Sequence, residues 1–206
     1  YVATEGGVSQ LSQGVGLSGA NTFIHTNNKV YSCGLQVAGN TGTGPSSANI
    51  YLPRAACFAS NYNSIALLYS HMFNSYVVDL SGFVYSTGLN TDYQSGVNAL
   101  SSTIFTKLVL SGTSAPLSAV RALTTTTGVS SNLYSVYAVT SANRLYVWGN
   151  NSAGQLGTYN TAAVQQPILV HSLSSIDVQS VKAVGAGDGA TSYALTPTGS
   201  VYVTGD

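Results

Sequence analysis

Charge is what this sequence has least of. Six of its 206 residues are Lys or Arg and six are Asp or Glu, so 6% are charged and the formal net charge is zero, against about 25% charged residues in an ordinary globular chain. No basic face can be built from six scattered cations, so phosphate neutralisation, and with it nucleic acid as a partner, is excluded. Long apolar runs are missing too: none reaches the roughly 20 residues of a helical membrane span. No segment combines a charged start, an apolar centre and a small-residue cleavage site, and the chain begins at Tyr1 rather than Met, which reads as a processed or truncated product. Disorder is excluded from the other side, because 44% of the residues are hydrophobic and this length supports a sizeable core. The surface must then be made of Ser, Thr, Asn, Gln, Gly and Tyr. Cytosolic proteins use charge for solubility, so this neutral, hydroxyl-rich composition points to an extracellular or cell-surface location.

Residues that carry chemistry are equally sparse. His25, His71 and His171 fall at unrelated places with no metal-ligand spacing. The acids Glu5, Asp79, Asp92, Asp177, Asp188 and Asp206 are scattered; Asp79 precedes a turn and Asp188 follows Ala186-Gly187, positions where Asp stabilises turns. No Gly-x-Ser-x-Gly nucleophile motif occurs, and Gly185-Ala186-Gly187-Asp188-Gly189 resembles a phosphate loop without the helix such a loop needs. No catalytic residue, metal or cofactor is expected. Two cysteines, Cys33 and Cys57, permit one disulfide in a secreted chain. The other reading is two small buried hydrophobes, since Cys33 stands where another repeat has Trp148.

What the sequence does have is a repeat. Residues 144–157 read Arg-Leu-Tyr-Val-Trp-Gly-Asn-Asn-Ser-Ala-Gly-Gln-Leu-Gly. Leu145 to Trp148 is strand chemistry; Gly149, Gly154 and Gly157 allow the backbone to turn with positive φ. The strand and its closing glycine return at Val30–Gly34, Val84–Gly88 and Val201–Gly205, so the closing glycines stand 54, 61 and 56 residues apart. Each strand is preceded by another across a short polar turn, which predicts hairpins at about 22–26 with 29–33, 75–79 with 83–87, 137–141 with 144–148, and 192–196 with 200–204. Asn27-Asn28 supplies the first turn. Extended pieces follow each glycine-rich loop at 53–57, 106–110 and 167–170. The third repeat is longer by five residues, placed in a surface loop at Thr124–Ser131. No segment has helical periodicity.

The motif Tyr146-x-Trp148-Gly149-x-Asn151, then Gly154-Gln155-Leu156-Gly157, Pro167, Val170, Val184, Ala186-Gly187 and Ala194-Leu195-Thr196, resembles the regulator of chromosome condensation repeat. That resemblance implies an all-β, β-propeller-like fold of four-stranded antiparallel sheets. Counted from the glycines, it gives about 3.5 blades in one repeat domain over 1–206: a half-repeat at 1–34 and repeats at 35–88, 89–149 and 150–206. The repeat residues Gly34, Gly88, Trp148, Gly149, Gly154, Gly157 and Gly205 are then structural. The chain departs from the family at its repeated histidine, whose place falls near Ala20, Asn74, Ser135 and Thr191. The family's exchange factors act on a small GTPase, for which a charged face would be expected, and this chain has little charge to offer.

Three functions follow. The first is a non-catalytic extracellular structural or adhesive protein that self-assembles into a filament or a multi-chain propeller through exposed sheet edges, the start of the chain being where a foreign strand docks. The second is a secreted binding module or inhibitor that grips another protein with loops on one face. The third is an intracellular exchange-factor-like regulator. Tyr31, Tyr85, Tyr146 and Tyr202 share one strand position and read as structural, whereas Tyr51, Tyr62, Tyr69, Tyr93 and Tyr159 lie elsewhere and are interface candidates. Asn150-Asn151-Ser152 is a candidate glycosylation sequon at Asn150.

Overall fold

The fold is that of a computed structural model, which describes residues 8–16, 19–26, 29–36, 38–45, 48–71, 73–126, 134–173, 175–186 and 189–206. The described residues form fifteen strands: β1 (Val8–Gly16), β2 (Gly19–Thr26), β3 (Val30–Gly34), β4 (Ile50–Ala55), β5 (Ile65–Ser70), β6 (Asn74–Asp79), β7 (Val84–Leu89), β8 (Ser101–Lys107), β9 (Val120–Thr125), β10 (Ser135–Thr140), β11 (Leu145–Gly149), β12 (Val164–Leu169), β13 (Ser180–Ala186), β14 (Gly189–Leu195) and β15 (Val201–Gly205). A single turn of 3-10 helix at His171–Leu173 is the only helical element among the described residues. The chain divides into two compact units, Tyr1–Asn90 with Ala99–Leu108, and Thr91–Asn98 with Val109–Asp206. The first holds the antiparallel sheets β1-β2-β3-β4 and β5-β6-β7-β8; the second holds β9-β10-β11-β12 and the three-stranded β13-β14-β15.

All four expected hairpins form. Their registers are equivalent: the closing glycines Gly34, Gly88, Gly149 and Gly205 lie opposite Asn21, Asn74, Ser135 and Thr191. Each of these glycines has φ between 100 and 116°, a region closed to side chains. A Cβ added there would come within 2.0 Å of the Phe73 carbonyl oxygen at Gly88, 2.3 Å of that of Tyr134 at Gly149 and 2.0 Å of that of Ala190 at Gly205. The glycine is therefore fixed twice, by its dihedral and by the neighbouring backbone.

The hairpin turns are closed by a buried oxygen-bearing side chain. Thr140 Oγ1 accepts the amide of Arg144 at 3.1 Å, and Thr196 Oγ1 that of Ser200 at 3.0 Å. Asp79 does the same, its Oδ1 accepting the amides of Ser81 and Phe83 at 2.9 and 3.0 Å, which is the turn-stabilising role its position suggested. Asn27-Asn28, Glu5 and Asp188 lie outside the described residues.

The core of the first unit runs through Phe23, Val30, Leu68, Val77, Tyr85 and Phe105, with Phe105 stacked on Phe58 at 4.9 Å and edge-on to Phe23 at 6.0 Å. That of the second runs through Tyr137, Val139, Leu145, Val147, Leu156 and Val170. Outer strands are partly shielded along their free edges. Phe105 of β8 exchanges backbone bonds with Cys57 and Ala59, and Pro167 of β12 accepts the amide of Ser111, which blunts edges that would otherwise template further pairing.

Three expectations are corrected here. The start of the chain is not a half-blade awaiting a foreign strand: β1 and β4 complete the first sheet, and the sheet with three strands is β13-β14-β15. Strand β1, Val-Ser-Gln-Leu-Ser-Gln-Gly-Val-Gly, has little alternation and two glycines, so pattern reading passes over it. The fourth strands β4, β8 and β12 begin three to five residues earlier than the apolar pieces suggested: β8 opens on Ser101-Ser102-Thr103 and β12 on Val164-Gln165-Gln166, while β4 opens on Ile50-Tyr51-Leu52 ahead of Pro53. Thr124 and Thr125 are not in a surface loop; both belong to β9, where Thr125 pairs with Val136, and the rest of the supposed insertion, from residue 127 on, lies outside the described residues.

A substitution pair separates the two demands on glycine. Gly154 is also left-handed, with φ of 72°, but nothing lies within 4 Å of a Cβ there. Gly154→Ala is expected to cost only the dihedral term, roughly 1–2 kcal/mol. Gly149→Ala adds the clash with Tyr134 and is expected to cost distinctly more. Chemical denaturation of both variants measures the difference, and equal losses would show that backbone approach is not limiting.

A candidate protein-interaction face

The glycine-rich loops that follow β3, β7 and β11 share one geometry. Positions Gly39, Tyr93 and Gly154 are left-handed, as are Gly42, Gly96 and Gly157 three residues on. The second of each pair donates its amide to the carbonyl of the first at 2.9–3.0 Å. Buried amide side chains pin the loop ends: Asn151 Nδ2 donates to the carbonyls of Asn160 and Ala162 at 2.8 and 3.1 Å while its Oδ1 accepts the Leu156 amide at 2.9 Å. Gln155 spans the same loop, its Nε2 donating to Ser135 Oγ and the Asn150 carbonyl, its Oε1 accepting the Ala153 amide. The Gly-Gln-Leu-Gly motif is thus loop architecture rather than chemistry.

These loops are held by the residue before the closing glycine. The pairing of β3 with β4, β7 with β8 and β11 with β12 shifts register at that residue, so Cys33, Thr87 and Trp148 fall in bulges, and a bulge re-aims its side chain. Thr87 Oγ1 donates to the Gly39 carbonyl at 2.9 Å, Trp148 Nε1 to that of Gln94 at 3.0 Å and Thr204 Oγ1 to that of Gly154 at 2.8 Å. Trp148 is fully buried, so it is a structural residue that locks the loop at Thr91–Asn98.

Of the five tyrosines singled out as interface candidates, the structure exposes three: Tyr51 at 86%, Tyr159 at 85% and Tyr93 at 38%. Tyr62 and Tyr69 are half-buried. Tyr62 packs on Phe58 with ring centres 4.0 Å apart, and Tyr69 lies 6.4 Å from Tyr76; both are packing residues. Among the repeated tyrosines Tyr31 and Tyr85 are buried and Tyr146 half-buried, while Tyr202 is 42% exposed. Sequence reasoning missed one property of Tyr93 and Tyr159. Each has a φ of 63°, a left-handed conformation unfavourable for an aromatic residue. Aligning the loops would have found it, since Gly39 and Gly44 hold these two places in the first copy.

The titratable residues do not converge. Asp79 is buried with all its acceptor capacity used: besides the two turn amides, Oδ2 takes the Asn63 amide and the Tyr85 hydroxyl. Burial, and then Asp79 beside it, pushes the Tyr85 hydroxyl up to about 12. Burial also pushes Tyr137 up to about 12, its hydroxyl lying between Ser192 Oγ and the Gln155 carbonyl. Burial lowers His25, and lowers His71 to about 4, while His171 is exposed. No group of three or more His, Cys, Asp or Glu side chains gathers among the described residues.

The disulfide reading is corrected: Cys33 is a half-exposed and Cys57 an exposed free thiol. Register explains it. Tyr31 opposes Ala55 and Ser32 opposes Arg54, so the two cysteines lie about four positions apart along an antiparallel ladder, roughly 13 Å at 3.3 Å per residue, beyond the roughly 7 Å Cα separation a disulfide spans. Asn150 Oδ1 accepts from the Ser152 amide and hydroxyl and from Gln155 Nε2, so the sequon lies in an Asn turn.

Hairpin, bulge, closing glycine and left-handed loop together define a β-propeller blade repeat. Residues 143–192 match the family model described as the regulator of chromosome condensation (RCC1) repeat. Its fold is similar to that of human WBSCR16, with a TM-score of 0.71 and 22% identity over 96% of this chain and 47% of that one. It is similar to yeast RCC1 (Prp20) in a structure bound by Kap60, at 0.68 and 15% over 98% and 44%. It also resembles Prp20p from Saccharomyces cerevisiae, studied for its binding to Gsp1p and histones, at 0.67 and 18% over 96% and 43%. The chain therefore spans less than half the length of these structures. No curated protein matches it in sequence.

These likenesses overturn the first functional reading and the location attached to it. Of the similar structures, Prp20p was studied for its binding to Gsp1p and histones and yeast RCC1 is bound by Kap60, so the fold is one known from protein-binding chains, and nothing in these likenesses supports extracellular building material. The low charge that suggested secretion is explained otherwise: polar groups here serve turns and loops, and hydroxyls and amides do that without charge.

Two outcomes test the assignments. Trp148→Ala is expected to destabilise the chain by about 3–5 kcal/mol; a melting temperature close to the parent's would place the indole in a binding role. For His71, the folded state holds its proton only near pH 4, whereas the unfolded chain binds it from about pH 6.5. The unfolded state thus takes up more protons between these values, and stability is expected to fall as pH drops from about 6.5 to about 4. Thermal melts of the parent and His71→Gln across that window check this, the variant giving the flatter profile.

Proposed function

We propose that this chain is a non-catalytic, protein-binding propeller segment of an intracellular RCC1-type regulator, the third of the sequence-based readings. The observation that supports it best is the fold likeness over 96–98% of the chain to yeast RCC1, a protein whose structures concern binding to Kap60, Gsp1p and histones. The scattered titratable groups favour binding over catalysis. Left-handed loops with exposed tyrosines among Ser, Thr, Asn and Gly supply rigid amphipathic contacts with adaptable hydrogen bonding around them.

The charge deficit sets how such a module binds. Without a steering field, association proceeds at the unassisted rate of about 10⁵–10⁶ M⁻¹s⁻¹ and affinity responds little to salt. Purified chain titrated with Gsp1p and, separately, with histones by surface plasmon resonance is the test. Saturable binding to either, with an association rate changing less than about threefold between about 50 and about 500 mM salt, is the expected result. Absence of binding to both, or binding that vanishes with added salt, overturns the reading.

A further inference from the structure

The loop between β7 and β8 does not stay with its strands. β7 and β8 pair with each other in the first unit, Leu89 opposite Ser101 and Gly88 opposite Ser102. The residues on either side of the loop are tied there as well: Asn90 Nδ2 donates to the Ala99 carbonyl, and both belong to the first unit. The residues between them, Thr91–Asn98, belong to the second. Within the second unit the loop is held at two points. Trp148 Nε1 donates to the Gln94 carbonyl at 3.0 Å, and Gln165 Nε2 to Asn98 Oδ1 at 2.8 Å. Between these points Gln94 and Ser95 are fully buried and Val97 is buried. The loop also bonds to itself, the Gly96 amide to the Tyr93 carbonyl at 3.0 Å and the Asp92 amide to Gln94 Oε1 at 2.8 Å. It is a preformed insertion, with its neck in one unit and its body packed with the other. The two related loops do not change unit. The loop at Gly39 is held by Thr87 inside the first, and the loop at Gly154 by Thr204 inside the second. Of these three anchors, the one where the loop changes unit is the chain's single tryptophan.

We propose that Thr91–Asn98 is a strap that makes the two units open together, with Trp148 as its fastening. A unit that opens alone must give up the strap's bonds. If the second unit opens, the buried Gln94, Ser95 and Val97 lose their surroundings. If the first opens, β7 and β8 part and the loop loses the fixed ends that keep its ordering cost small. Either way the loss of the strap adds to the cost of local opening, which is what joins segments into one cooperative unit. A threonine hydroxyl could supply the bond to Gln94 but little buried area, whereas the indole supplies both. Without the indole N–H the Gln94 carbonyl stays buried and loses that donor, and an unmet buried acceptor costs more than the bond itself contributes. The proposal goes beyond the protein-binding reading and does not rest on it, since no partner enters it.

The experiment is native-state hydrogen exchange of the 206-residue chain in rising denaturant, read residue by residue by NMR. In the parent, the slowest amides of β6 in the first unit and β10 in the second are expected to merge into one opening. Trp148→Phe keeps an aromatic ring and removes the N–H. In it the amides of Gly96 and Val97 should exchange at least about tenfold faster, and β6 and β10 should separate into two openings. Thr87→Val removes the matching bond wholly inside the first unit and should leave the two merged. Gln165→Ala loosens the second anchor from an exposed side chain. It should also speed exchange in the loop, and it carries the test if Trp148→Phe does not fold. Two separate openings in the parent overturn the proposal, as does loop exchange unchanged in either anchor variant. Openings still merged in Trp148→Phe overturn it too, and so does separation in Thr87→Val equal to that in Trp148→Phe.

Discussion

A bulge at the residue before the closing glycines Gly34, Gly88 and Gly149 interrupts the ladder to the following strand. There the side chains of Thr87 and Trp148 each donate to a loop carbonyl 48 or 54 positions earlier in the chain, Thr87 to Gly39 and Trp148 to Gln94. The bulge needs the glycine: the following residue must turn back with φ near 100° past a carbonyl that leaves no room for Cβ. One glycine thus serves strand ending, side-chain aim and loop anchoring together. Thr204 occupies the same position on β15 and donates to Gly154 at 2.8 Å, so a threonine and a tryptophan perform one task with different reach. The tryptophan also fills volume, and the threonines leave that filling to others, as Phe105 does against Gly42 in the first unit.

This arrangement decides what could be read in the sequence. The hairpins were legible because Val-Tyr-x-x-Gly carries both the strand and its end in five residues. Trp148 was legible as buried because a lone tryptophan at a repeated position is more useful inside. Strands β1 and β9, the first of their sheets, were not, because Gly14 and Gly16 in β1 and the threonines of β9 carry turn and loop chemistry in any window read alone. Cys33 misled in a different way. Its alignment with Trp148 suggested a buried residue, but the bulge that carries the indole into a loop leaves the smaller thiol half-exposed.

The exposure of the candidate interface residues was legible in part. Tyr51, Tyr93 and Tyr159 stand off the repeated strand position and are exposed, whereas Tyr62 and Tyr69 share that property and are packed on Phe58 and Tyr76. Sequence separation from the strand motif does not distinguish a loop tip from a residue that folds back onto an aromatic cluster. Composition misled about location for a related reason. Hydroxyls and amides were read as surface, yet Thr126, Asn151, Gln155 and Ser135 are buried and bonded to backbone. A chain can be poor in charge because its polar residues work inside the loops, with no implication for the compartment outside.

The same economy bears on binding. A loop stiffened by left-handed residues and buried amides loses little entropy when a partner docks, so a small number of exposed aromatic contacts goes further than it would on a floppy loop. Tyr93 and Tyr159 are placed on such loops, with Trp148 anchoring the first and Asn151 and Gln155 bracing the second. Glycine at either place would relax the backbone and remove the contact. The strain and the exposure therefore have one explanation: the loop frame holds each tyrosine in a posture that folding alone would not select.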